Sequence, residues 1–365
     1  MTLHISGIGI AAPRYSIEQA EAAKAWISYT GVEGKREKTV RALYRRSGVK
    51  KRHSTLLEGE VNGPTPSQTF FGPLAFEGDQ GPTTRARMKR FEADAPPLAL
   101  EAATQALSDA DLAASDITHL VTVTCTGFFA PGPDTVLIDL LGLPPTVERT
   151  HVGFMGCHGS LNGLRVGASF AGANPEARVL ISSVELCSLH MAYEWDPDAL
   201  VANSLFGDGA GAVVGVGDDH STGSDSWRLV SSGTCRLPDS AEAMSWRIGD
   251  HGFRMTLSAT VPAIIETHLR GWLVGWLGGL GLSLDDVATW AVHPGGPRIL
   301  SAVEAAMDLD RESSAVSRGV LAEFGNMSSA TILFILDRLR KADAPRPCVA
   351  LAFGPGLVAE ASLFL

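Results

Sequence analysis

Six short runs of this sequence are apolar and rich in β-branched residues: HISGIGI at 4–10, HLVTVTC at 119–125, RVLISSV at 178–184, GAVVGVG at 211–217, WAVHP at 290–294 and CVALAFG at 348–354. Several are apolar almost throughout, where a strand with one wet face would alternate, so they predict strands covered on both faces. Helices packed on a sheet supply that cover. The segments 16–28, 99–110, 161–173, 262–277, 297–306 and 327–340 carry apolar residues at helical spacing. The alternation predicts an α/β fold. The polar stretch 59–97, interrupted by Gly and Pro, reads as a loop or lid. The charged stretch 217–225 reads as a seam between two halves, 1–225 and 226–365. No tandem repeat is visible.

A chain of 365 residues, 45% hydrophobic and 19% charged, can bury a large core, which excludes disorder. Thirty Lys and Arg against 40 Asp and Glu leave a net charge of −10, so nucleic acid is a poor partner. No run reaches the about 18 apolar residues a membrane helix needs. The first residues, MTLHISGIGIAAPRYS, lack a basic start followed by an apolar signal core, so a cytoplasmic protein is expected. Five cysteines, an odd number with no CxxC pair, suggest reduced thiols and neither a zinc site nor a disulfide framework.

Three segments carry possible chemistry. In HVGFMGCHGSLNGL a strand-like run turns at Gly156 into a helix of small residues, which puts Cys157 at the helix start. There the helix dipole and unpaired N–H groups favour an anion and should lower the thiol pKa toward neutrality; a buried structural thiol is the alternative. In WAVHPGGPRIL, His293 closes a strand and stands at its tip before a Pro/Gly turn, as a catalytic or an ordinary loop histidine would. In EFGNMSSATILFIL, Asn326 precedes a helix, and capping alone would account for it.

Taken together, GCHG around Cys157, LFGDGAGA at 205–212, HPGGPRIL at 293–300, GNMSSA at 325–330 and FGPG at 353–356 resemble, in order and spacing, the type III polyketide synthases, the chalcone-synthase-like branch of the thiolase fold. The resemblance spans the chain. It implies a thiolase fold, with duplicated βαβαβαββ halves in five αβαβα layers, in a homodimer. It also implies that Cys157 is the acyl-carrying nucleophile, with His293 and Asn326 donating to the enolate that malonyl-CoA leaves on losing carbon dioxide. Acyl-CoA and malonyl-CoA are then the substrates, and no metal or redox cofactor is needed.

Further positions carry over from the family. Phe206 matches a gatekeeper phenylalanine between CoA tunnel and cavity. Gly354, Pro355 and Gly356 match a glycine-rich loop that shapes the cavity, and Cys125, Cys187, Trp246, Met255 and Ser328 are expected to line it. The basic run RALYRRSGVKKRH, 41–53, corresponds to a segment that contacts CoA phosphates, which nominates Arg46 and Lys50, with Arg298 as a third; a solvated helix face is the plainer account. The family's cross-subunit methionine is replaced here by Ala130. Two other activities fit the same three residues: a one-step ketoacyl synthase III-like enzyme using acyl carrier protein, and a cysteine-dependent thioester hydrolase. HPGGP and FGPG favour the polyketide synthase.

Overall fold

Strands that are buried at every residue need a layer on each side, and β4 (His119–Thr124), β7 (Asp208–Val216) and β12 (Cys348–Gly354) are buried throughout. The computed structural model describes residues 2–59, 67–220 and 227–365, so the expected seam at 225/226 lies outside the described residues, as do 60–66 of the expected lid.

In the first half, β1 (Leu3–Ala11) leads through β2 (Ser16–Glu18), α1 (Gln19–Thr30), α2 (Gly34–Arg46) and β3 (Lys51–His53) to the long α3 (Thr84–Asp109). Then follow β4, α4 (Pro133–Leu141), β5 (Glu148–Gly153), α5 (Gly159–Ala173), β6 (Arg178–Leu186), α6 (Pro197–Leu205) and β7. The second half runs β8 (Arg228–Arg236), the hairpin β9 (Met244–Gly249) and β10 (Gly252–Leu257), α7 (Val261–Gly278), β11 (Thr289–Val292), α8 (Pro297–Met307), α9 (Ala315–Phe324), α10 (Thr331–Lys341), β12 and β13 (Val358–Phe364).

The half-sheets have strand orders β5-β4-β6-β7-β1 and β8-β13-β12-β11, and a short β1–β8 pairing at Leu3–Leu229 and His4–Arg228 joins them. β7 runs antiparallel to both neighbours, and β13 does the same in the second half. The expected thiolase-type duplication is met, with one strand fewer in the second half. At the place of β5 the chain between α8 and α9, DLDRESS at 308–314, has no apolar alternation to hold a strand.

Successive side chains assign the layers. Leu120, Leu180 and Val214 pack outward with α3, while their sequence neighbours Val121, Ile181 and Val213 pack inward with α5 and α10. In β12, Val349 and Leu351 face α7 and α8, and Ala350 and Ala352 face inward. The order is therefore α3, sheet, α5 with α10, sheet, α7 with α8. The outer helix α7 repeats Val261, Ile265, Leu269, Leu273 and Leu277 on its buried face.

Three boundaries differ from expectation. The lid reading fails over 84–97, which is helix: Thr83 caps it by accepting from the Ala86 N–H, and Pro96 and Pro97 lie inside α3 rather than before it. Ser16 opens the strand β2 paired with β3, and the helix starts only at Gln19. Met327 precedes a 3₁₀ turn, and α10 begins at Thr331.

α3 and β1 touch backbone to backbone at Gly9, where a Cβ would lie 2.1 Å from the Ala102 carbonyl oxygen. Gly9→Ala should force the helix off the sheet and lower Tm, at a cost of about 1–3 kcal/mol or more. Ala102→Gly should give no relief in calorimetry, because the obstacle is main chain.

Candidate active site

The central helices start side by side. Cys157 sits in a 3₁₀ turn, Gly156–His158, just before α5, and Asn326 and Ser328 lie just before α10. The Cys157 thiol points to Asn326 Oδ1 at 4.0 Å, and Ser328 Oγ lies 3.7 Å from its sulfur. The same Ser328 hydroxyl is 3.1 Å from Cys125 Sγ. Asn326 Oδ1 also accepts from the Ser328 N–H at 2.8 Å, a local bond of the capping kind expected from sequence. Its backbone is held by a bridge to Phe206.

A cavity of about 440 Å³ opens at this point, a usual size for a small-ligand site. Cys157, Ser328, Pro355, Cys125 and Cys187 line its inner part, with Phe206, Trp246 and Met255 on its wall. Trp246 and Met255 face each other across the β9–β10 hairpin, and Trp246 Nε1 donates to the Cys125 carbonyl at 2.8 Å. The far wall, formed by Ile17, Trp26, Tyr29, Leu56 and Phe71, is mostly apolar. Gly354 and Gly356 stand behind Pro355. A Cβ on Gly354 would lie 2.3 Å from the His158 ring, so this loop braces the turn that carries Cys157.

His293 follows β11 as expected, its N–H donating to the Leu351 carbonyl at 2.8 Å. It is 1% exposed, and among the described residues, Cys157 included, both buried ring nitrogens are without a hydrogen-bond partner. Burial, with a smaller push from neighbouring His158, holds its pKa down to about 3.

The expected lowering of the Cys157 pKa is reversed. Although the residue borders the cavity, its sulfur lies deep, and burial pushes the thiol up to about 11 despite the lowering contacts of Ser328 and Asn326. Nearby Glu185 raises it further. Loss of hydration is the largest of these effects. Both directions favour the neutral thiol and the neutral imidazole.

Glu185 escaped the sequence reading. Fully buried under the cavity floor, it accepts from the Cys125 N–H at 3.0 Å, the Thr126 hydroxyl at 2.7 Å and the Ser329 hydroxyl, and burial raises its pKa. Its signal was a carboxylate next to the last residue of β6, RVLISSVEL, where burial is complete from Val179 onward. Asp208 of LFGDG is buried likewise and ties Ser188 to Thr55. His190 is held neutral, its pKa pushed down to about 3 by burial, and it stacks on Phe253 at 4.2 Å.

Arg46, Lys50 and Arg298 do not line the cavity. All three are exposed, and their segments meet where Gly48 packs against Pro297 and Leu321. Ala130 lies in the loop after β4 beside Phe128, which is partly exposed and packs on Phe154 and Phe253.

Sequence models of chalcone and stilbene synthases match the chain throughout, the N-terminal domain over residues 2–220 and the C-terminal domain over 228–365. The alpha-pyrone synthesis polyketide synthase-like Pks18 of Mycobacterium tuberculosis is 32% identical over 366 residues, covering 99% of this chain and 90% of that protein. The 1,3,6,8-tetrahydroxynaphthalene synthase of Streptomyces peucetius subsp. caesius is 37% identical over 325 residues, covering 88% and 82%. Among solved structures, PKS-I of the brown alga Ectocarpus siliculosus superposes with a TM-score of 0.91 at 29% identity, covering 100% of this chain and 98% of that one. The C-terminal type III polyketide synthase domain of Steely1 from Dictyostelium gives 0.89 at 29% identity, covering 100% and 99%.

A thiol with a raised pKa stays protonated at neutral pH and gains reactivity as pH climbs toward that pKa. Iodoacetamide inactivation of the ligand-free protein should therefore keep accelerating from about pH 7 to about pH 10. A plateau at neutral pH would mean that an imidazolium already holds Cys157 as thiolate.

Proposed function

Because this chain belongs to the chalcone and stilbene synthase family and is a type III polyketide synthase, we propose that it loads an acyl-CoA starter on Cys157, extends it with malonyl-CoA and closes the product into a pyrone or phenolic ring. The observation that carries this reading is the meeting of Cys157, Asn326 and Ser328, of which Cys157 and Ser328 line a mostly apolar cavity. The first half, 1–225, supplies the nucleophile, and the second, 226–365, supplies His293 and Asn326.

In the proposed chemistry the neutral thiol passes its proton to the neutral His293 imidazole as the acyl thioester seats. The thiolate attacks the carbonyl, and CoA departs as a thiol on regaining a proton. Malonyl-CoA then loses carbon dioxide. The electron pair of the broken carbon–carbon bond moves into the enolate, whose oxygen accepts hydrogen bonds from His293 and the Asn326 amide. The unpartnered ring nitrogens of His293 suit that task, since a buried polar atom without a partner costs about 1–3 kcal/mol that a ligand oxygen would relieve. The enolate carbon attacks the Cys157 thioester, expels the sulfur and lengthens the chain by two carbons. Thioesters and decarboxylation drive the sequence without a metal or redox cofactor.

The apolar far wall supports an aliphatic acyl starter. Trp246 takes up space on the opposite wall and limits bulk near the nucleophile. Arg46, Lys50 and Arg298 are proposed to bind CoA phosphates. Phe206 is proposed to stand between that entry and the cavity. The working form is proposed to be a cytoplasmic homodimer. Among the described residues, no helix is long and apolar enough to cross a membrane.

Mass spectrometry of products from a panel of acyl-CoAs with labelled malonyl-CoA tests this reading. Native protein should add labelled two-carbon units, most readily to aliphatic starters, and Cys157→Ala should add none. Trp246→Gly should lengthen the product ladder or admit bulkier starters while still loading Cys157; a lower Tm with an unchanged ladder would remove Trp246 from that role. For the entry, neutralising two of Arg46, Lys50 and Arg298 should raise KM for malonyl-CoA more than for a pantetheine thioester lacking the phosphates, and added salt should have a partly similar effect. Equal effects on both substrates would leave the three as a solvated face.

A further inference from the structure

The basic run 41–53 contains two half-buried cations, Lys51 and Arg52, and of the two only Arg52 is among the residues that line the cavity. Arg52 lies on β3, half-buried, and lines the cavity. Its Nη1 donates to the Asn203 carbonyl and, at 3.1 Å, to the Phe206 carbonyl, and its guanidinium lies 5.4 Å from the centre of the Tyr44 ring. Among the described residues its partners are therefore main-chain oxygens and a ring. The two N–H groups of this one nitrogen are enough for both carbonyls.

What this cation holds is the crossing of two segments. The Asn326 N–H donates to the Leu205 carbonyl at 2.8 Å, and the Gly207 N–H donates to the Asn326 carbonyl at 3.0 Å. Phe206 and Asn326 thus share one short parallel bridge. The bridge is possible because Gly207 and Gly325 let the two chains touch: a Cβ on Gly207 would lie 2.6 Å from the Phe324 carbonyl, and one on Gly325 2.7 Å from the Leu205 carbonyl. The same two positions would lie 3.2 and 3.4 Å from Arg52 Cβ. The stem of Arg52 therefore fills the crevice beside both glycines, and its head pins the carbonyl of the residue between Leu205 and Gly207.

We propose that Arg52 is a positioning residue that fixes the Phe206–Asn326 crossing and so sets where the Asn326 amide meets the enolate oxygen. This rests on the reading of Asn326 given above. Arg52 does not touch Cys157 among the contacts described, so loading and decarboxylation should part company when it is changed.

The test uses full-length protein and three readouts: acylation of Cys157 by hexanoyl-CoA followed by mass, carbon dioxide release from malonyl-CoA, and Tm. Arg52→Gln should load hexanoyl groups within about threefold of native while carbon dioxide release falls on the order of 10–100-fold, the range that ångström-scale misplacement of a catalytic group costs. Arg52→Lys, which keeps a cation near the carbonyls, should recover part of that loss, and it carries the test if the glutamine variant does not fold. Adding Arg52→Gln to Asn326→Ala should cost little more than Asn326→Ala alone, since both changes remove the same donor. Native carbon dioxide release in Arg52→Gln, equal loss of loading and release, or multiplying effects in the double variant would each overturn the proposal. Unimpaired decarboxylation by Asn326→Ala would instead overturn the reading of Asn326, and is recognisable without any Arg52 variant.

Discussion

Two helices covered by sheet on both sides set the frame of this molecule. α10 is buried at every residue of 331–337 and α5 at every residue of 159–164, with α5 reaching water toward its end at Ser169, Gly172 and Ala173. α5 and α10 lie between the half-sheets, so each must present a surface that fits sheet on both sides. Small residues make this possible. A Cβ on Gly163 or Gly167 of α5 would come within 2.9 Å of the Val123 or Ile181 side chain. Because both helices are clamped in the same layer, their N-terminal ends are fixed beside each other, and Cys157, Asn326 and Ser328 meet although far apart in sequence. The outer helices α3 and α7 only need one apolar stripe each, and their ends are free to serve other purposes.

The same burial sets the electrostatics. Taking Cys157 and His293 out of water favours their neutral forms, the thiol rising and the imidazole falling. Glu185 beneath them is costly to ionise for the same reason, although three hydrogen-bond donors soften the cost. A site built this way keeps its charges in reserve: ionic species arise as bonds are made, in surroundings of low dielectric where a well-placed hydrogen bond counts for more than it would in water.

The sequence was most readable where burial is complete. All six runs chosen for their apolar character are strands, because a segment covered on both faces has few alternatives. β8, β9 and β10 went unnoticed because they are partly exposed and carry mixed residues that any loop could carry, and β13 went unnoticed although it is buried, because Glu360 and Ser362 break its apolar run. Pro96 and Pro97 were misleading: proline ends most helices, yet here α3 continues through both because it is held against the sheet along its length. Motif order was enough to nominate the residues that line one cavity, but it held no information on how deep the sulfur lies, and so the direction of the Cys157 pKa was missed. Arg52 was hidden inside a run whose cations mostly face solvent, and the carbonyls of a distant segment distinguish it.

The β9–β10 hairpin stands apart from this clamped frame. It forms its own two-stranded sheet outside the nine-stranded one and reaches the site through Trp246, through Phe253 stacked on His190, and through the Gly356 N–H that donates to the Met244 carbonyl. The cavity-facing Trp246 and Met255 lie on this hairpin, outside the sheet and central helices that place Cys157. In such a scaffold, side chains that shape the cavity sit on a different element from those that meet at Cys157, so the two can vary separately. A lineage built on this frame is thereby free to explore new products while its reaction stays the same.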